Sequence, residues 1–452
     1  MDAAEQAQAR PIFVHAFLRA GGTYLWSKFR ASPSLMAFYE PFNEALGSDT
    51  RGKLLAKTPG SWSSKHPLLA APYMAEYAPL LSSRGLPRFH KEFSAGTFFP
   101  PDAGELPPEQ GRYLTALIEH ARGMGRRPVL AFSRSLGRVP SLARAFDACH
   151  ILLMRNPAHH WMSCFRQSLD HGNDYFLVMH LLIAGQNRHH PLVRAVAERY
   201  EVPFLERRSV ADEISAYRKL AARLDLEASY RVFLALYVAG YLEALAPSDL
   251  AVDMNLLGHA VYRRSIEERI EALTGVALDF GDARMPSHAL ADAGIDFARC
   301  HRDALEDAMR HWQAYSAAGA ERAQYLVRAK LEEASRGYLE ELRDRGLGRE
   351  ARSGEDGSAA AREMRETRLL AGLNQTKSRL KAAEARLDMV MQSTSWRATA
   401  PLRRIVDLLR DAGLRPWAGG LSAALKAARK RLVRRSPPRS AVGRGAISRT
   451  GS

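Results

Sequence analysis

Short unbroken apolar runs separated by longer amphipathic stretches recur along this chain, and their alternation points to a fold class. Runs of strand length cover 11–17, 36–39, 128–133, 150–154, 202–205 and 250–253. Helical spacing fills intervals between them, as over 114–122 and 211–224, and 232–242 reads as a core helix. Strands that alternate with helices predict an α/β fold built on a parallel sheet with both faces covered. The pattern turns charged and helical over 302–347, which sets the main domain at 10–347.

A small, polar linker follows over 348–364, containing "GREARSGEDGSAAARE". Beyond it Leu369, Leu373, Thr376, Leu380, Ala383, Leu387 and Val390 recur in steps of three and four. That spacing fits a short coiled coil over 365–395, able to self-associate, or a single amphipathic helix. The last stretch, 396–452, sets Trp396, Trp417 and several leucines among arginines. Such a segment suits an anionic membrane surface, a docking partner or a disordered basic tail.

Charge sharpens this division. The chain of 452 residues carries a net charge of +16. Residues 397–452 hold twelve Arg and two Lys against two Asp, a net of +12, which leaves only +4 for everything before them. The basic character belongs to the tail, so it is no argument that the main domain binds nucleic acid. Three scattered cysteines, Cys149, Cys164 and Cys300, fit a reducing compartment and no disulfide framework. With no apolar run of membrane-spanning length and no basic, then apolar, leader, the expected location is the cytoplasm, peripheral to the inner membrane if the tail binds lipid.

Candidate chemistry begins after the first strand, in "LRAGGTY". A glycine turn opening a helix offers free backbone N–H groups to a phosphate or sulfate. Arg19 can fork onto two anion oxygens, and Thr23 adds a hydroxyl. The GxxxxGK[ST] loop of nucleotide triphosphatases is absent, which weakens a magnesium-dependent kinase reading. A second strand runs into "MRNPAHHWMS". Arg155 there stands at a strand's carboxyl end, and Ser163 follows eight residues later on the next helix.

These two loops, in this order, resemble the sulfotransferase family that uses 3′-phosphoadenosine 5′-phosphosulfate (PAPS), in particular its bacterial, carbohydrate-type members. The 5′-phosphosulfate loop of that family, [K/R]-S-G-[T/S]-T, corresponds to Arg19-Ala20-Gly21-Gly22-Thr23, followed by Tyr24. Its second signature, R-[D/N]-P with a serine eight residues after the arginine, corresponds to Arg155-Asn156-Pro157 and Ser163. "SPSLMAFYEPFNE" and the approach "PVLAFSRSLGRVPSLARAFDACHILLMRNP" add to a resemblance that covers about residues 10–300. Ala20 and Gly22 depart from it, which puts more of the anion binding on backbone amides.

The resemblance implies a P-loop-like three-layer fold and transfer of a sulfuryl group from PAPS to a hydroxyl of a glycan or lipid-linked glycan, leaving 3′,5′-ADP, with no metal. Arg19 would meet charge on the leaving phosphate. Glu40 in "FYEPF" is the expected base, with Glu44 as the other candidate. His90 and Lys91 in "RFHKEFS", and Arg134 and Arg138 in "FSRSLGR", are further candidates to meet substrate. His159-His160 and His189-His190 are adjacent pairs, expected to be solvated. A nucleotide-dependent kinase of the same fold, and a non-catalytic scaffold derived from a sulfotransferase, are the competing functions. In the tail, "SWRATAPLR" resembles a short S-W-R-x-T-x-P-L-R segment at the ends of many bacterial polysaccharide glycosyltransferases, which favours a surface glycan as acceptor.

Overall fold

A computed structural model describes residues 10–345, except 49, 56–70, 84, 102–104, 207–208, 285–286 and 312–319. The predicted linker, coiled coil and basic tail lie outside the described residues. Five strands form one all-parallel sheet: β1 (Ile12–His15), β2 (Leu35–Tyr39), β3 (Arg127–Phe132), β4 (Cys149–Met154) and β5 (Leu250–Asp253). Their order is β2-β3-β1-β4-β5. Ile12 sits opposite Val129 on one side and Cys149 on the other. Every residue of β1 and β4 is buried, as expected where helices cover both faces of a parallel sheet.

Helix α1 (Gly22–Arg30) buries Leu25, Trp26 and Phe29, and the Trp26 indole donates to the Ala37 carbonyl at 2.8 Å. Helix α2 (Pro108–Gly123) packs on β3. Helix α3 (Pro157–His171) has defined ends. The Asn156 side chain caps it by accepting from the Ala158 and His159 amides, Pro157 opens it, and Gly172 closes it at φ 63°. Helices α4 (Tyr175–Gln186) and α5 (Leu226–Ala244) follow, the second buried on nearly every side. Tyr237 and Tyr241 of α5 donate to the Arg155 and Leu153 carbonyls at 2.8 and 2.7 Å, gripping the carboxyl end of β4. The charged C-terminal stretch forms α6 (Phe297–His311) and α7 (Ala320–Asp344). Among the described residues no helix is long and apolar enough to cross a membrane.

One predicted strand is absent. Residues 202–205 pair with no strand of the sheet, and Phe204 is half exposed. The run contains Pro203, which has no N–H to give a ladder, and its carbonyl instead accepts from the Tyr217 hydroxyl at 2.7 Å.

The strand order also locates a crevice. The chain leaves β1 toward β2, on the β3 side, and leaves β4 toward β5, on the opposite side. The two adjacent connections diverge at the carboxyl ends of β1 and β4, the place where open parallel sheets bind ligands.

Candidate functional site

At that crevice lies a cleft of about 840 Å³. Its floor is built from the ends of the strands. After β1 the Leu18 carbonyl is bound by His160 Nε2 at 2.7 Å, which requires Nε2 to carry the proton. Burial, with the nearby Arg155 charge, lowers the His160 pKa well below the usual range and keeps the ring neutral. Arg19 then turns into the left-handed region at φ 72°, and Gly21 caps α1 at φ 107°. No side chain at Gly21 caps the helix, and its first turn holds no acidic residue, so its N-terminal amides and dipole are offered to an anion. A Cβ on Gly21 would stand 2.7 Å from Met254 Cε. Gly21→Ala should therefore lower unfolding stability by about 1–2 kcal/mol, read from denaturant midpoints, because the strained φ adds to the contact.

Arg155, 3% exposed, ends β4 beside this loop and donates from Nη1 to the Arg19 carbonyl at 3.2 Å. Burial, together with the positive charge of Arg19, lowers the Arg155 pKa to about 10. Burial likewise lowers that of Arg19, whose guanidinium stacks 5.2 Å from the centre of the Phe176 ring. Two neighbouring cations, Arg155 buried and Arg19 half-buried, favour an anion in the cleft that both line. Ser163 lines the same cleft from α3. Thr23 and Tyr24 line it too, with the Thr23 hydroxyl 2.9 Å from the Tyr39 hydroxyl and the Tyr24 hydroxyl donating to Asp282 at 2.7 Å. The loop's Ala20 is buried.

Glu40, at the end of β2, lines the cleft in a left-handed conformation at φ 46°. Its amide donates to the Ala131 carbonyl at 2.8 Å, and its Oε2 accepts from Asn43 Nδ2 at 2.7 Å. Among the described residues, four non-glycine residues have positive φ, and two of these, Arg19 in the loop after β1 and Glu40 at the end of β2, stand on this cleft. Local strain of this kind collects where a site must hold a fixed geometry.

Other sequence candidates fall elsewhere. Glu44 lies outside the cleft lining, bound to Arg134 Nη2 at 3.0 Å and to the Tyr175 hydroxyl at 2.6 Å. Arg134 is buried beside both carboxylates, with Nη1 3.4 Å from Glu40 Oε2. Arg138 is also fully buried. It donates to the Arg134 and Phe93 carbonyls at 2.9 and 2.8 Å and lies over the Phe42 ring, so backbone carbonyls take the place of a substrate anion. His90 is exposed and Lys91 pairs with Glu213 at 3.5 Å, both away from the cleft lining. The histidine pairs are solvated only in part: His160 and His190 are buried and His159 is half-buried, whereas His189 is exposed and binds the Phe99 carbonyl at 2.8 Å.

Cleft residues that no local motif marked come from distant parts of the chain. They include Tyr175 and Phe176 at the start of α4, Met254 after β5, and Asp282 and Arg284. Comparisons of the chain with models of known protein families, with curated proteins and with solved structures return no match.

Proposed function

We propose that the protein is a sulfotransferase with a P-loop-like core that moves a sulfuryl group from PAPS to a hydroxyl of a glycan or lipid-linked glycan. One observation carries this reading. The Arg19 loop and Arg155 meet at the switch point, joined by a hydrogen bond, on a single cleft that Ser163 and Glu40 also line. PAPS supplies an activated SO3 group on a phosphate leaving group, and the cleft has the volume of a nucleotide-sized site. The amides at the start of α1, with Arg19, suit the 5′-phosphosulfate. Arg155 and Ser163 suit the 3′-phosphate. As the acceptor oxygen bonds to sulfur and the bridging S–O bond breaks, the electron pair stays on the 5′-phosphate, where Arg19 offsets the growing charge. Glu40 takes the acceptor proton through Oε1, the oxygen that accepts no hydrogen bond from the described residues. Tyr39, Phe165 and Tyr175 with Asn43 and Gln167 give the cleft both apolar faces and hydrogen-bonding groups, which supports a sugar as acceptor.

Calorimetric titration with 3′,5′-ADP, and separately with ATP and magnesium, tests this. Binding of the first without the second is expected. ATP binding alone would favour the kinase reading, and binding of neither the scaffold. The basic tail, with Trp396 and Trp417, supports a cytoplasmic enzyme held near an anionic inner leaflet. The full chain should sediment with anionic liposomes at low salt and be released near about 1 M salt, where the screening length falls to about 3 Å. If the chain ignores such liposomes, the tail serves something other than a membrane.

A further inference from the structure

Behind Glu40 lies a polar cluster that needs an explanation. Arg134 is 1% exposed, yet it faces two carboxylates and a phenol. Its Nη1 reaches Glu40 Oε2, and its Nη2 reaches both Glu44 Oε2 and the Tyr175 hydroxyl, which in turn donates to Glu44 Oε1. Burial alone would lower the Arg134 pKa, but Tyr175, Glu44 and Glu40 outweigh it and raise the pKa, so the guanidinium stays charged. Neither Arg134 nor Glu44 lines the cleft, whereas Glu40, Asn43 and Tyr175 do. Arg134 therefore has no direct access to a substrate. It touches the cleft through two lining residues, Glu40 and Tyr175, and of these Glu40 is the proposed base.

We propose that Arg134 is a positioning residue for the base, with Glu44 and Tyr175 holding it in place. Arg134 and Asn43 both approach Glu40 Oε2, which leaves Oε1 turned to the acceptor. The left-handed backbone at Glu40 then needs support from outside its own strand, and a guanidinium with its other nitrogen committed to Glu44 cannot swing away. The proposal rests on the transfer reading above, and Glu44 becomes part of the support and not a second base.

The test is a double-mutant cycle on the full chain. Turnover of radiolabelled PAPS is counted as sulfate transferred to a cell-envelope glycan extract plus sulfate released to water. Affinity for 3′,5′-ADP is measured alongside. Arg134→Met should lower turnover about tenfold and leave 3′,5′-ADP affinity within about twofold. In a Glu40→Gln background the same change should cost less than about twofold, because its target is already gone. A further full tenfold loss in that background would show that Arg134 merely supports the fold, and unchanged turnover in the single variant would equally overturn the proposal. If Arg134→Met does not fold, Tyr175→Phe decides. It removes only the hydroxyl, and about a threefold loss that vanishes in the Glu40→Gln background is expected. A wild-type chain that binds 3′,5′-ADP but consumes no PAPS would overturn the transfer reading and this proposal together. Normal wild-type turnover with an additive cycle would sink the proposal alone.

Discussion

Arg155→Ala is expected to weaken binding of 3′,5′-ADP by about 2–4 kcal/mol, roughly 30- to 1,000-fold in affinity. The guanidinium is almost fully buried at the end of β4, so a phosphate placed against it loses a charge-assisted partner that water cannot replace. Adenosine 5′-phosphosulfate lacks the 3′-phosphate and should lose much less. It should still lose something, because Arg155 Nη1 also holds the Arg19 carbonyl and so braces the loop proposed to take the 5′ group. Paired titrations with the two ligands separate these contributions. A large and equal loss for both would mean that Arg155 shapes the loop and does not bind the 3′-phosphate, and the proposed orientation of the nucleotide would fail.

The residues legible in the sequence are those whose placement is local. Arg19, Gly21 and Thr23 belong to one strand-to-helix unit, and Arg155, Asn156 and Ser163 to another, so a run of apolar residues followed by a turn and a helical pattern was enough to place each one. Glu40 was legible for the same reason. What no local pattern carries is the strand order, since β3 inserts between β2 and β1 only in three dimensions. That insertion brings Arg134, at the end of β3, beside Glu40 and Glu44 from the end of β2. A cation that reads as a ligand for an anionic sugar is thereby spent on two carboxylates of the same chain. Arg138 is spent likewise on backbone carbonyls. The histidine pairs misled only in part, because adjacency says that two side chains diverge and not which of them meets the core: His189 is exposed as expected, whereas His160 and His190 are buried. His160 is enclosed, and it fixes the Leu18 carbonyl under the loop. Tyr175 carried no signal, since its role depends on Glu44, 131 residues away.

Glu40→Gln should lower kcat by about 100-fold or more while leaving PAPS affinity nearly unchanged, the pattern of a lost general base. The substitution keeps the side chain's shape. The Gln carbonyl oxygen can still accept from Asn43 Nδ2, so the turn at the end of β2 should persist. What disappears is the proton acceptor on the cleft side, and an amide nitrogen in its place cannot serve as one at neutral pH. Donor affinity should hold because the groups proposed to bind PAPS lie in the loop after β1, at the start of α1, after β4 and on α3, while Glu40 follows the edge strand β2. Glu44 cannot take over without leaving Arg134 and Tyr175, both of which it binds. Initial rates with radiolabelled PAPS and a cell-envelope extract, taken over a range of donor concentrations, give kcat and KM separately. A variant with near-normal kcat would remove Glu40 from the chemistry and leave the acceptor proton to some other group on the cleft. A raised KM with kcat intact would instead put Glu40 in donor binding, and the division of the cleft into donor and acceptor ends would have to be redrawn.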